Sequence, residues 1–466
     1  MGKRLVVIGG VAAGMSAAAK AKRVNREMEV VVYEKSPYIS YAACGMPYFI
    51  AGEVTDYRSL IVRTPERMAK QGVEVHVRHE VTAIDPDART VTVHDLEGGR
   101  EFAQSYDRLV IATGARPVRS PLPGLDLEGV FVLRSLEEGR ALRRFIVQQG
   151  EQGGQGERKR HRPQWAFVLG GGYVGVEMAE SFRRLGLEVK MVIRSGKVMR
   201  TTLDDDVREL LEGELARQGV EVVMGQPVAF EGSRRVEAVV VENEDENGNE
   251  HGRYPCDVAL LGIGVRPEVP LARAAGVALG ATGAIATDSH MRTSVPDVYA
   301  AGDCAETFHL VTGKPAYIPL GSTANKQGRV AGTNAAGGEA TFGGVVGTMV
   351  VRAFDLAVAR TGLTAAQAQE VGYTVRAPMI KAMDSSHYFP GAAPIRVKLV
   401  VDEETGRLLG GQIAGRRGVA KRIDVLATAL HHRLTVADLQ RLDLSYAPPF
   451  APVWDPILVA ANVAAR

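Results

Sequence analysis

The chain has 466 residues, 45% of them hydrophobic and 24% charged, with a formal net charge of +2. That length exceeds one ordinary core and asks for two or three domains, while the near-balanced charge excludes the basic surface that a nucleic-acid partner demands. Three cysteines cannot build a disulfide framework in so large a chain, which implies a reducing, cytoplasmic setting. No uninterrupted run of about 18 apolar residues offers a membrane span.

Residues 4–8 (Arg4-Leu5-Val6-Val7-Ile8) read as a buried parallel strand, 9–14 as a turn, 15–23 as a helix and 29–33 as the next strand, ending at Glu34. This is a βαβ unit. The apolar run from Lys3-Arg4 to Ala19 imitates a secretory signal, but Gly9 and Gly10 break it where a strand-to-helix turn needs them. The turn Gly9-Gly10-Val11-Ala12-Ala13-Gly14 lacks glycine at the middle motif position. Glu34 nevertheless stands 20 residues beyond Gly14, where a carboxylate accepts hydrogen bonds from an adenosine ribose.

Cys44 follows in Ser40-Tyr41-Ala42-Ala43-Cys44-Gly45-Met46-Pro47-Tyr48, with no second cysteine at disulfide spacing. The stretch after it reads as a helix start, and a thiol at a helix N-terminus or beside cations ionises more readily and becomes the competent nucleophile. Cys44 is therefore the candidate reactive thiol. Further on, Ala112-Thr113-Gly114-Ala115 closes a strand, and residues 148–164 are polar and glycine-rich with a basic run, as a solvated linker would be.

A second unit repeats the plan: a strand at 165–169, a turn at 170–175, a helix to about Leu185 and a strand at 189–193. Gly170-Gly171-Gly172-Tyr173-Val174-Gly175 is a full G-x-G-x-x-G opening a helix. Its glycines permit the tight turn, the approach of a pyrophosphate and the packing of helix on strand. The strand ends in Ile193-Arg194 with Lys197 and Arg200 beyond and no carboxylate, so the cations suit a 2′-phosphate and favour NADPH or tolerance of both nicotinamide dinucleotides.

Residues 242–252, acidic, Asn-rich and hairpin-like, read as a loop, and 298–303 (Val298-Tyr299-Ala300-Ala301-Gly302-Asp303) as a strand ending in Gly-Asp. From about Gly343 the texture becomes α+β, with strands at 395–401 and 408–413 and a helix at 421–432. Cys256 and Cys304 read as inert buried thiols, and the histidines show no metal-ligand spacing.

These segments together resemble the flavin-dependent pyridine nucleotide disulfide oxidoreductases, in their single-cysteine branch and closest to the coenzyme A-disulfide reductases. The resemblance implies an α/β chain of two Rossmann-like dinucleotide-binding domains, glutathione-reductase-like, with a C-terminal α+β dimerisation domain. The expected division is FAD domain 1–148 and 281–340, NAD(P)H domain 149–280 and dimerisation domain 341–466. It implies FAD against Gly9, Gly10, Val11, Ala12, Ala13, Gly14, Glu34, Lys35, Val81, Thr113, Gly114, Gly302 and Asp303. It implies the nicotinamide dinucleotide against Gly170, Gly172, Tyr173, Val174, Gly175, Arg194 and Lys197, with Gly262 and Gly264 bordering its path.

Two-cysteine relatives carry C-x4-C, and Ile39 stands where the other cysteine would fall, so no internal dithiol relay is expected. Related peroxidases and oxidases usually place a histidine in the first turn, where this chain has Val11-Ala12-Ala13. Ser16, Lys20 and Arg23 share one helix face at i, i+4 and i+7 and, with Ser40, match the family's coenzyme A contacts, although the family's asparagine before the cysteine is Ala43 here. Tyr388 and Tyr446 match two tyrosines that reach the cysteine of the other subunit in a homodimer. The function implied is NAD(P)H-dependent reduction of coenzyme A disulfide through a Cys44 mixed disulfide. Persulfide or polysulfide reduction, an oxygen-reducing cysteine sulfenate and a flavin-bound redox sensor are the alternatives. Relatives that reduce persulfide often add a rhodanese domain, and the chain ends at Arg466 without one.

Overall fold

A computed structural model describes residues 2–118, 120–148, 163–245 and 248–466. The linker expected at 148–164 lies almost wholly outside them. Five parallel strands form the first sheet in the order Val298–Ala300, Arg108–Ile111, Arg4–Ile8, Glu29–Glu34, Val73–Val77. Helices Ala12–Val24 and Gly321–Ala335 cover one face and the antiparallel strands His79–Asp85 and Thr90–Asp95 the other, and burial on both faces is why these strands read as continuous Val, Ile and Leu rather than as an alternation. Helix Ala12–Val24 follows the central strand and packs along Gly321–Ala335.

The second sheet repeats this plan in the order Val220–Met224, Glu188–Ile193, Trp165–Leu169, Val258–Leu261, Val130–Phe131, again all parallel. Its edge strand, Val130–Phe131, thus comes from ahead of residue 149. The helix Pro270–Ala274, in turn, packs against the first unit's strand His79–Asp85. An antiparallel pair, Ala115–Pro117 with Val265–Pro267, joins the two units.

Each unit also carries a three-stranded antiparallel meander. The second one corrects the loop expected at 242–252: Ala238–Asp245 pairs with Gly248–Pro255 through His251 opposite Glu242. Antiparallel strands tolerate water on a face, so polar composition hid them.

In the last domain Leu356–Gly362, Leu408–Gly415 and Pro394–Asp402 form the centre of a six-stranded sheet covered by helices Val419–His431 and Pro456–Ala464. The three units meet in one apolar core. There Met46, Phe49 and Ile50 pack with Val176, Ala179 and Phe182 of the second unit and Met349, Val351 and Val358 of the last. The segment carrying Cys44 sits on that junction.

Candidate active site

Both glycine turns are built to the same tolerance. Gly9 has φ +100, and a Cβ there would stand 2.3 Å from the Ala112 carbonyl oxygen, while one on Gly14 would stand 1.8 Å from that of Gly9. In the second unit a Cβ on Gly170 (φ +104) would meet the Gly262 oxygen at 2.5 Å, and one on Gly175 the Gly170 oxygen at 2.3 Å. Strand and helix cross too closely for a side chain. The following helices, Ala12–Val24 and Tyr173–Arg184, have no side-chain cap and no acid in the first turn. Val11, Ala12 and Ala13, like Tyr173 and Val174, thus open helices whose first N–H groups and positive dipole end are free for an anion. Two such ends at the carboxyl edges of two parallel sheets fit the pyrophosphates of two dinucleotides.

Glu34, 8% exposed, accepts the Gly10 N–H at 2.6 Å on one oxygen and the Ser36 N–H at 2.8 Å on the other. It braces the turn and keeps lone pairs for a ribose. Lys35 is exposed, 3.7 Å from the Glu80 carboxylate. The Val81 side chain is buried, and its strand bulges between Val81 and Ala83. Gly302 donates its N–H to buried Gln327 at 2.9 Å, and Arg134 donates to the Asp303 carboxylate at 2.9 Å. Thr113 donates its hydroxyl to the Glu268 carbonyl at 2.6 Å, the Gly114 carbonyl accepts the Glu268 N–H at 2.9 Å, and that of Gly264 accepts the Val118 N–H at 2.9 Å. Thr113-Gly114 and Gly262-Ile263-Gly264 therefore flank the crossing between the units.

Cys44 lies in a 3-10 turn, Ala43–Gly45, leading into the helix Met46–Ala51. Ser40, at φ 46, donates its N–H to the Gly10 carbonyl at 2.9 Å and ties the loop to the first glycine turn. Among the three thiols only Cys44 is exposed, while burial pushes Cys256 and Cys304 upward in pKa. The lowered thiol expected from the sequence is not found. Although Cys44 is exposed as a residue, the protein packed around it desolvates its thiol. That desolvation raises its pKa first, the Glu177 and Asp303 carboxylates raise it further, and Arg134 opposes them. A six-residue helix beginning two residues later does not outweigh them.

Glu177 escaped the sequence reading. It lies two residues past Gly175 on the same helix, and burial, then Glu180, push its pKa up to about 7 against the pull of Arg352. The available signal was helical spacing, which puts Glu177 one turn from Tyr173. Burial likewise raises the Tyr173 phenol, and Val174 is exposed.

Arg194, Lys197 and Arg200 are exposed, with Lys197 Nζ 3.3 Å from Asp205. Their loop is held by the Met199 N–H on the Gly171 carbonyl at 2.8 Å and the Val198 N–H on Glu212 at 2.9 Å. On the first helix Ser16 donates to Asn325 at 2.6 Å, Arg23 Nε donates to the Ala19 carbonyl at 3.0 Å, and Lys20 is half-buried. Tyr388 and Tyr446 are 64% and 48% exposed, and the neighbouring Tyr388 phenol raises that of Tyr446. Phe450 and Trp454 stand exposed nearby in the chain. Among the described residues no group of three His, Cys, Asp or Glu is gathered for a metal, and no helix is long and apolar enough to cross a membrane.

Comparison with known proteins extends this picture. Residues 3–328 match the pyridine nucleotide-disulphide oxidoreductase model, and residues 349–456 match the dimerisation domain of the same family. The NAD(P)H coenzyme A polysulfide/persulfide reductase of Pyrococcus horikoshii is 39% identical over 99% of this chain and 98% of its own. The coenzyme A disulfide reductase of Staphylococcus haemolyticus is 28% identical over 96% of each. Among solved structures, reduced Bacillus anthracis CoADR-RHD superposes with a TM-score of 0.92 at 34% identity, covering 100% of this chain and 80% of that one. An engineered water-forming NADPH oxidase bound to NADPH, derived from the Lactobacillus brevis enzyme, gives 0.90 at 29%, covering 99% and 98%. With its two dinucleotide turns, its solitary exposed thiol and both family models matched, the chain belongs to the pyridine nucleotide-disulphide oxidoreductases, flavin enzymes that use FAD and NAD(P)H.

Proposed function

We propose that the chain is a homodimeric, NADPH-preferring reductase of coenzyme A disulfide that works through Cys44 alone. One observation carries the reading: Cys44 is the single exposed thiol, seated where both nucleotide units and the last domain meet, and the other two cysteines are buried. The second sulfur therefore comes from the substrate. FAD, held by the first glycine turn, Glu34 and Asp303, supplies the two-electron relay between nicotinamide and sulfur.

Cys44 thiolate attacks one sulfur of coenzyme A disulfide, the S–S bond breaks, one coenzyme A thiolate leaves, and a Cys44 mixed disulfide forms. Two electrons from NADPH with one proton then release the second coenzyme A and restore the thiol. Ser16, Lys20, Arg23 and Ser40 grip the nucleotide portion. Tyr388 and Tyr446 of one subunit face Cys44 of the other, where phenols donate to the departing thiolate; the exposed Tyr388, Tyr446, Phe450 and Trp454 support such an interface.

A second reading, reduction of persulfide or polysulfide sulfur by the same attack, is favoured by the Pyrococcus relative's name. Anaerobic NADPH oxidation by the purified enzyme separates the two. Coenzyme A disulfide is expected to give the highest kcat/KM, and a preference for polysulfide, or turnover only in air, overturns the first reading. Untreated protein is also expected to carry one coenzyme A adduct that reductant removes.

NADPH preference rests on spacing. In the engineered oxidase an aspartate became alanine, the next two residues became arginine and serine, and a proline five positions further became arginine. This chain reads Ile193-Arg194-Ser195 with Arg200 five positions on. The register agrees, because a glycine also changed in that enzyme lies 18 residues ahead of the aspartate, as Gly175 lies 18 ahead of Ile193. Arg194→Ala or Arg200→Ala is expected to lower kcat/KM for NADPH about tenfold, the worth of a charge-assisted hydrogen bond, and to leave NADH nearly unchanged. An unaltered NADPH/NADH ratio would remove this assignment.

A further inference from the structure

Along the helix that Cys44 leads into, an ionic node joins all three units. Glu180, on the helix of the second glycine turn and 3% exposed, accepts Arg352 Nη2 at 3.0 Å, Arg184 Nε at 2.8 Å and the Phe354 N–H at 2.9 Å. Arg352, on the strand Met349–Ala353 of the last domain, also pairs with Glu53, just beyond the helix that Cys44 leads into. Its guanidinium lies 4.9 Å from the ring centroid of Tyr48 on that helix. Arg352 Nε is buried without a partner. One turn before Glu180 stands Glu177, whose carboxylate no hydrogen bond or ion pair engages among the described residues.

We propose that Arg352 is a positioning residue of the redox centre, clamping the helix that Cys44 leads into against the helix of the second glycine turn, where Glu177 stands one turn from Glu180. The inference rests on Cys44 being the redox thiol. Arginine suits the post because its planar fork spans two carboxylates while its face covers an aromatic ring. The groups that bear on Glu177 are Glu180 and Arg352. Glu177 bears in turn on Cys44, which also faces Asp303 and Arg134, and on Tyr48, which also faces Arg352, Glu180 and Glu53. Without Arg352, Glu53 and Glu180 share only Arg184, and Glu177 holds its proton to higher pH.

The test follows iodoacetamide alkylation of Cys44 in the anaerobically reduced, FAD-loaded enzyme across the range where carboxylates and thiols titrate. In the wild-type protein the rate rises with pH and carries a shoulder where Glu177 ionises, because the new charge makes the thiolate harder to form. Arg352→Gln is expected to move the shoulder up by about half a unit or more and to cut turnover at least about tenfold. Arg352→Lys, which keeps the charge but loses the fork, leaves the shoulder in place with turnover between the two. Glu177→Gln abolishes the shoulder and speeds alkylation above it, and adding Arg352→Gln in that background shifts nothing further. A shoulder unmoved in Arg352→Gln, or a shift that persists without Glu177, overturns the proposal. A Cys44→Ser protein with undiminished turnover would instead defeat the assignment of the redox thiol, leaving the alkylation series to report on the node.

Discussion

Replacing Cys44 by serine is expected to lower disulfide-dependent NADPH oxidation by ~10³-fold or more, the scale of losing a nucleophile, and to abolish the coenzyme A adduct. A serine hydroxyl occupies nearly the same volume but does not ionise in the accessible pH range and forms no disulfide. Cys256 and Cys304 offer no substitute, since both are buried and burial disfavours their thiolates. Reduction of the bound flavin by NADPH is expected to persist, because the groups proposed to hold the two dinucleotides lie on the glycine turns, Glu34 and Asp303 rather than on the thiol. Stopped-flow bleaching of the flavin, steady-state turnover and mass spectrometry read the three outcomes separately. Wild-type turnover in the serine variant would remove Cys44 from the mechanism.

What was legible in the sequence is what local geometry dictates. The glycines of both turns announce crossings that only glycine permits, and the structure puts Gly9 against Ala112 and Gly170 against Gly262 in the same relation. Continuous Val and Leu runs marked the parallel strands for the same reason, burial on two faces. The polar strands on either side of residues 246–247 look like loop in the sequence, because antiparallel pairing there needs no apolar run. The electrostatics of Cys44 were the least legible part. Local sequence suggested a helix start that lowers the thiol, but burial of the thiol, and after it Glu177 and Asp303 from 133 and 259 residues further along the chain, reverse the sign. Arg352, more remote still, reaches the same place through a third unit. Tyr388 and Tyr446 mark the opposite limit, since folding one chain sets them beside each other and leaves them exposed.

Two alanine substitutions, at Gly14 and Gly172, should separate packing from ligand approach. At Gly14 the added methyl would stand 1.8 Å from the Gly9 carbonyl oxygen and 3.2 Å from a Val7 methyl. Backbone cannot yield as a flexible side chain does, so helix Ala12–Val24 must lift from its strand, and the overpacking costs about 3 kcal/mol or more. The Gly14→Ala protein is expected to purify with little flavin and a depressed melting temperature. Gly172, the middle glycine of the second turn, has φ −81 and ψ −170, an extended conformation open to alanine, and nothing lies within 4 Å of the added atom. Its stability should therefore change by no more than about 0.5 kcal/mol. That open space is where the second glycine lets a pyrophosphate approach the helix N-terminus. Gly172→Ala is accordingly expected to keep its flavin and melting temperature while the KM for NADPH rises about tenfold. Flavin stoichiometry, thermal melting and NADPH titration of both variants give the comparison, and equal losses of flavin in the two would mean that protein packing, not the dinucleotide, requires glycine at position 172.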